Sequence, residues 1–283
     1  MYLRSGIPLL SELDAHLQSA AYKHHVDFNR AFLEKNDAAM SQYGKLWAKD
    51  TFRLWSRRWE YPFVAQRVID FAKSQPADKP FRVLDAGSGV TYFPYFLRSE
   101  IPRSEITCFD SNNTYHPMFA AVNETMGETR VKFTEGWLQK LPFEDDTFEA
   151  VCCISVLEHT SNYDEILDEF SRVLRSGGLL VITFDLSLDG KFELPRHVAA
   201  SLLRSVAAKF DVPPDTDPVK ELSAMDDPQG SKILTTDHIK ETQPDLLPWK
   251  SPLLKAAHDL VKGHGWTGGF RSKSVYCLSA IAP

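Results

Sequence analysis

Glycine is sparse, at 14 of 283 residues, and follows no repeat, which excludes a collagen-like chain. Cysteine is sparser still. The four cysteines form no Cys-x-x-Cys pair, so neither a zinc site nor a dithiol redox motif is indicated. Cys152 and Cys153 are adjacent, and Cys108 and Cys277 each sit in an apolar run; all four are expected to be buried free thiols of a reducing compartment. No stretch approaches the roughly 18 consecutive apolar residues of a membrane span. The first residues, Met1–Leu17, have too short an apolar stretch for a signal peptide and turn acidic at once. A soluble, cytoplasmic protein is the expectation. Cationic excess is also missing: 32 Lys and Arg against 38 Asp and Glu give a net charge of -6. A basic face for sequence-independent nucleic-acid binding is therefore not expected, and neither nucleic acid nor membrane is an expected partner.

What is present is ordinary globular material, 43% hydrophobic and 12% aromatic, enough for a sizeable core. Charge is unevenly placed: residues 76–190 hold 9 Lys and Arg against 19 Asp and Glu, whereas residues 1–75 hold 11 against 8. The first third reads as helical, with apolar positions at helical spacing over Leu9–Leu33 and Trp59–Phe71 and a stop at Ser74–Asp78. From Phe81 the period changes. Short apolar runs at Phe81–Asp85, Ile106–Asp110, Val131–Phe133, Phe148–Ser155 and Leu179–Phe184 read as strands. Between the last two, Ile166, Leu167, Phe170, Val173 and Leu174 mark one face of a helix, closed by Gly177-Gly178. Such alternation predicts an α/β fold, a parallel sheet with helices on both faces. Residues 187–250 are proline-rich with short helical pieces, and a helix near Leu253–Val261 and a strand over Ser274–Ile281 are expected to end the chain.

The most informative segment is Val83-Leu84-Asp85-Ala86-Gly87-Ser88-Gly89. A strand ending in Gly-x-Gly and opening a helix lets a ligand approach backbone amides at the strand's carboxyl end, where open α/β sheets bind ligands. The third glycine of a dinucleotide fingerprint would fall at position 92, which is Tyr92, and no Gly-Lys-Ser/Thr follows for a P-loop. Asp85 ends the first strand, where a carboxylate can face a cation. Asp110 ends the second, 25 residues on, where a carboxylate can accept both hydroxyls of a ribose. Either acid alone also suits a turn.

Together with Phe109-Asp110, the run Leu141–Val151, Ser155-Val156-Leu157-Glu158-His159 and Arg172–Leu180, this segment resembles the class I S-adenosylmethionine-dependent methyltransferases acting on small molecules. The resemblance covers roughly residues 81–185. It implies a Rossmann-like, seven-stranded, mostly parallel sheet carrying an N-terminal helical cap over residues 1–75. Residues 76–283 would be the catalytic domain, with a substrate-side insertion at about 187–250. It also implies methyl transfer from S-adenosylmethionine to a small-molecule acceptor, leaving S-adenosylhomocysteine. An aminopropyl transferase using a related cofactor, or a non-catalytic S-adenosylmethionine-binding protein, would carry the same glycine turn.

Residue by residue, the resemblance places the amides of Ala86, Gly87, Ser88 and Gly89 along the cofactor, Asp85 near its ammonium group, and Asp110 with Ser111 at the ribose. Tyr61 and Ile154 join the cofactor set. Where the family has an acid for the adenine amino group, this chain has Trp137, followed by Leu138. The indole either walls the adenine or belongs to the core. His159 after the fourth strand and Asp185 after the fifth are the candidate general bases, each also explicable as a structural residue. In the N-terminal third, Arg53, Trp55, Arg57, Arg58, Trp59, Glu60 and Tyr61 form one cluster. On a helix Arg53 shares a face with Arg57, and Trp55 with Trp59. That pattern serves either a lid over an anionic substrate or a tryptophan stripe on the sheet with arginine stems reaching water.

Overall fold

The computed structural model describes residues 2–43, 49–190, 193–214, 216–247, 253, 260 and 271–283. Its centre is one sheet. Strands β1 (Phe81–Ala86), β2 (Ser104–Asp110), β3 (Val131–Glu135), β4 (Phe148–Ile154), β5 (Leu174–Ser187) and β6 (Lys273–Ile281) lie in the order β3-β2-β1-β4-β5-β6. All pairings are parallel except β5 with β6, where Leu179 faces Ile281 and Ser187 faces Lys273. The order reverses between β1 and β4, so a crevice opens at their carboxyl ends.

The α/β architecture matches the sequence expectation in kind, with six strands among the described residues rather than seven. Between β5 and β6 the chain forms helices and short turns: Arg196–Lys209, one helical turn at Pro218–Glu221, and Thr236–Thr242. Proline lacks the N–H that a central ladder needs, and Pro195, Pro218 and Pro244 of this connection sit at helix starts. The helix expected over Leu253–Val261 lies outside the described residues.

Side chains alternate across the pleat and build two cores. Phe81, Val83, Ile106, Cys108, Ala150, Cys152, Val181 and Cys277 face helices α1 (Leu10–Gln18), α2 (Ala20–Lys35), α3 (Arg57–Ser74), α4 (Phe93–Glu100) and α5 (Tyr115–Met126). Leu84, Phe109, Val151, Cys153, Leu180, Ile182 and Phe184 face α6 (Tyr163–Val173) and α7 (Arg196–Lys209). All four cysteines are buried and free. In α6 the apolar face is fully buried at Ile166, Leu167, Phe170 and Val173. Burying a side chain of this size contributes about 1.5–3 kcal/mol. That helix ends at Val173 rather than at the glycines. Gly177 and Gly178 sit in an irregularity of β5, where Phe148 pairs with Leu174 but Ala150 with Leu179. A Cβ on Gly178 would lie 2.7 Å from the Arg175 carbonyl oxygen, so the close backbone approach, not a helix stop, requires glycine there.

The single N-terminal helical pattern divides at Ser19, whose hydroxyl accepts from the Tyr22 amide and caps α2. The arginine–tryptophan cluster divides as well. Arg53 ends a 3-10 turn (Thr51–Arg53) and α3 starts at Arg57, so the two arginines do not share a helical face. Trp55 and Trp59 are nevertheless both buried, as a stripe against the core.

Candidate active site

A cleft of about 830 Å³ opens at the carboxyl ends of β1, β2 and β4. The glycine turn forms its floor. Gly87 and Gly89 adopt left-handed φ of +76° and +53°. A Cβ at Gly87 would meet Val156 at 2.4 Å, and one at Gly89 the Tyr43 hydroxyl at 2.6 Å.

The amides of this turn are not bare. Gly87 and Ser88 donate to the Phe109 carbonyl at 2.7 and 3.1 Å, Gly89 donates to Asp110 Oδ2 at 3.0 Å, and Val90 donates to Tyr43 Oη at 2.9 Å. Helix α4 begins only at Phe93, with Tyr92 at its cap. The expectation that a helix N-terminus directly after the turn presents free amides is therefore corrected. The turn offers close approach, and its donors are spent on holding β2 and Tyr43. Tyr92 itself is buried, hydrogen-bonded to His25 Nδ1 at 3.0 Å among Phe52, Tyr61 and Phe96.

Of the other expected residues, Tyr61, Asp110, Ser111, Leu138, Ile154 and His159 line the cleft. So does Trp137, and at 70% exposure it belongs to the wall and not to the core. Ala86 is fully buried under the turn and does not reach the cleft. Asp85 is buried at 3% exposure, and burial together with the Asp110 charge pushes its carboxyl up to about 7. Asp110 Oδ1 accepts from the Asn112 amide at 3.2 Å, so both oxygens hold the backbone while each keeps a lone pair for a ligand.

Asp185 is corrected as a cleft residue. It is 4% exposed, lies behind the wall, and is ion-paired with Lys273. Burial alone would raise its pKa, but Lys273 and Arg57 outweigh that and hold it below the ordinary value. His159, by contrast, is exposed on the cleft rim, and no hydrogen bond of its ring is found among the described residues. Burial of its neighbourhood lowers its pKa from the ordinary value.

Two lining residues, Tyr43 and Arg57, stand outside the matched motifs. Tyr43 stacks on Tyr115 at 5.5 Å and covers the glycine turn from above. Arg57, for which the sequence allowed either a lid over the substrate or a stem reaching water, points inward: it donates to Glu60 Oε2 at 2.5 Å and to the Ser155 hydroxyl. Glu60 is fully buried; its Oε1 accepts from Ser155 Oγ at 2.5 Å and Thr183 Oγ1 at 2.7 Å. Ser155 has a φ of +50°, a conformation costly for a non-glycine residue and held here by those bonds. Glu158 lines the cleft beside them, with burial and then Asp185 pushing its carboxyl up to about 8. None of the described part of 187–250 lines the cleft.

Comparison with known proteins agrees with this geometry. Residues 84–182 match the family described as a methyltransferase domain. The chain is 30% identical over 120 residues to a demethylmenaquinone methyltransferase of Thermus thermophilus, covering 41% of this chain and 51% of that one. It is 29% identical over 187 residues to a sterol 24-C-methyltransferase of Schizosaccharomyces pombe, covering 61% and 45%. The chain spans about half the length of the curated relatives it matches. In fold it resembles a geranyl diphosphate methyltransferase solved with geranyl diphosphate and sinefungin, at a TM-score of 0.50, 15% identity and 80% coverage of each chain. Over residues 84–182 the chain matches the methyltransferase-domain family and is similar to the class I S-adenosylmethionine-dependent methyltransferases.

Proposed function

We propose that this protein transfers a methyl group from S-adenosylmethionine to a small-molecule acceptor, releasing S-adenosylhomocysteine. One observation carries the reading: a glycine turn, the strand-end carboxylate of Asp110 and an exposed indole converge on a single cleft, with the Asp85 carboxyl buried at the strand end just before the turn. These residues fit a ligand bearing a cation, a diol and an aromatic base. Asp85 is a carboxyl whose pKa burial and then Asp110 raise, so that an ammonium group beside it would favour its ionised form. Asp110 supplies acceptors for ribose hydroxyls, with Ser111 beside it. Trp137 offers a flat apolar face to adenine, and Leu138, Tyr61 and Ile154 close the walls.

The cofactor supplies an already activated methyl group. The chain's own task is to hold an acceptor atom in line at about 3–3.5 Å, which contributes up to ~7–11 kcal/mol. Residues 1–75 act in this reading as a cap: Tyr43, Thr51, Leu54, Arg57 and Tyr61 all reach the cleft from there. In this reading the acceptor enters by the rim at His159–Asn162, which follows β4, whereas Trp137 follows the edge strand β3. The relatives named above act on a quinone precursor and a sterol, so the family permits different acceptors on one cofactor site.

Calorimetry with S-adenosylmethionine tests the cofactor site. Asp110→Ala is expected to weaken binding by about 1.5–3 kcal/mol, the range for hydrogen bonds to a charged group. Failure of the native chain to bind would end the reading. Release of S-adenosylhomocysteine across a panel of phenols, amines and carboxylates then tests transfer.

A further inference from the structure

We propose that Glu158 is the proton-accepting residue of this cleft, neutral while the cleft holds no cation, ionised beside a positively charged ligand, and so the catalytic residue that takes the acceptor's proton. The inference rests on the methyl-transfer reading above and assigns a role that neither His159 nor Asp185 fills.

The geometry sets Glu158 apart from the other carboxyls. It lines the cleft, whereas Asp185 lies behind the wall. Its Oε1 receives a long bond of 3.4 Å from the Asp185 amide. Its Oε2 is buried with no hydrogen-bond partner among the described residues. Both nearby cations are already paired, Arg57 with Glu60 and Lys273 with Asp185.

The surroundings decide its charge. Asp185 on β5 and Glu60 on α3 disfavour ionisation, Arg57 on α3 favours it, and Cys153 on β4 and Tyr163 on α6 are uncharged neighbours. His159 follows it on the same turn and is neutral above its lowered pKa. A carboxylate buried without a partner is costly, so burial keeps the proton on Glu158 near neutral pH. A cation brought into the cleft reverses that balance. The ionised carboxylate can then accept a proton, a contribution of roughly 10²–10⁴ in rate for an acceptor that must lose one. In that transfer the acceptor's heteroatom bonds the methyl carbon, the C–S bond breaks with its electron pair left on sulfur, and the acceptor's proton passes to Glu158.

The test compares two ligands that differ in the positive sulfur. Both carry the ammonium group, so proton release caused by Asp85 is common to both. Calorimetry of the full chain at pH 7.5 in two buffers of different ionisation heat counts the protons released. S-adenosylmethionine is expected to release at least about half a proton more than S-adenosylhomocysteine. In Glu158→Gln the two ligands should release the same number. Equal release by the native chain, or a difference that survives Glu158→Gln, overturns the proposal and leaves the cofactor reading intact. If neither ligand binds, it is the cofactor reading that falls, and the proposal with it. Should Glu158→Gln not fold, the infrared band of a protonated carboxyl in the native chain gives the same answer. It should diminish on adding S-adenosylmethionine and persist with S-adenosylhomocysteine, and an unchanged band overturns the proposal.

Discussion

Glu60, on a helix of the N-terminal third, accepts a hydrogen bond from Thr183 of strand β5 at 2.7 Å. The same carboxylate holds Ser155 and Arg57, so one fully buried acid ties α3 to β4, to β5 and to the cleft wall. Removing it would leave Arg57, itself only 14% exposed, without its ion-pair partner. Breaking one side of a buried pair costs about 3–5 kcal/mol, so Glu60→Ala should lower unfolding stability by that amount in urea. Glu60→Gln keeps the shape and two acceptor lone pairs, and should lose distinctly less. Equal losses in the two variants would mean that packing, not the charge, holds the helix.

Asp85 gives a prediction with a definite sign. Its folded-state pKa is raised to about 7, above the ordinary carboxylate value, by burial and then by Asp110. The folded state therefore binds its proton more tightly than the unfolded chain does. That contribution is fully present below the unfolded pKa of about 4 and is lost as pH rises through about 7. Asp85→Asn should accordingly raise the melting temperature of the ligand-free protein at pH 8 and change it little at pH 4.5. The same variant should lose cofactor affinity. Native affinity should rise with pH up to about 7 and then level, because an ammonium group favours the ionised acid, and Asp85→Asn should abolish that rise. A variant neither more stable at pH 8 nor weaker in binding would remove Asp85 from both roles.

Much of this was legible beforehand, and what was not has physical causes. The strands were readable because their apolar residues face two cores, giving short unbroken runs from Phe81 to Phe184. The α6 face was readable because Ile166, Leu167, Phe170 and Val173 keep helical spacing. The break at Ser19 was hidden, since a serine cap between two helices interrupts no apolar periodicity. Gly177-Gly178 looked like a helix end because a β-irregularity and a C-cap both favour glycine. Arg57 and Glu60 stood in a cluster that suited either a lid or a tryptophan stripe; only the register of α3 against Ser155 and Thr183 buries Glu60 and turns Arg57 inward. Glu158 was passed over in favour of His159 because histidine titrates near neutrality by itself, whereas a carboxyl reaches that range only through burial that no sequence displays.

Trp137 permits a spectroscopic check on the cofactor wall. It is 70% exposed, whereas Trp55 and Trp59 are buried at 4% and 2%. A ligand stacking on it would dehydrate that ring and leave the buried Trp55 and Trp59 unchanged. Titration with S-adenosylhomocysteine should therefore shift or quench tryptophan emission, and Trp137→Phe should remove most of that change while keeping an aromatic face for binding. A native-sized signal in the variant would place the adenine elsewhere along the cleft.

Gly89 and Tyr43 give the most stringent check on the cleft floor. Gly89 has a φ of +53°, and a Cβ there would lie 2.6 Å from the Tyr43 hydroxyl. Two costs are thus superposed in Gly89→Ala: a left-handed backbone of about 1–2 kcal/mol, and a clash with an oxygen anchored on the Val90 amide at 2.9 Å. They separate in a double-mutant cycle. Tyr43→Phe alone leaves the Val90 amide without its acceptor and should cost roughly 1 kcal/mol. In the Tyr43→Phe background the clashing oxygen is gone, so Gly89→Ala should cost only the backbone share. The two substitutions together should then be less destabilising than the sum of each alone, by about 0.5–3 kcal/mol. Strict additivity in thermal or urea unfolding would show that Tyr43 does not rest on the glycine turn, and the N-terminal segment would lose its place over the cofactor site.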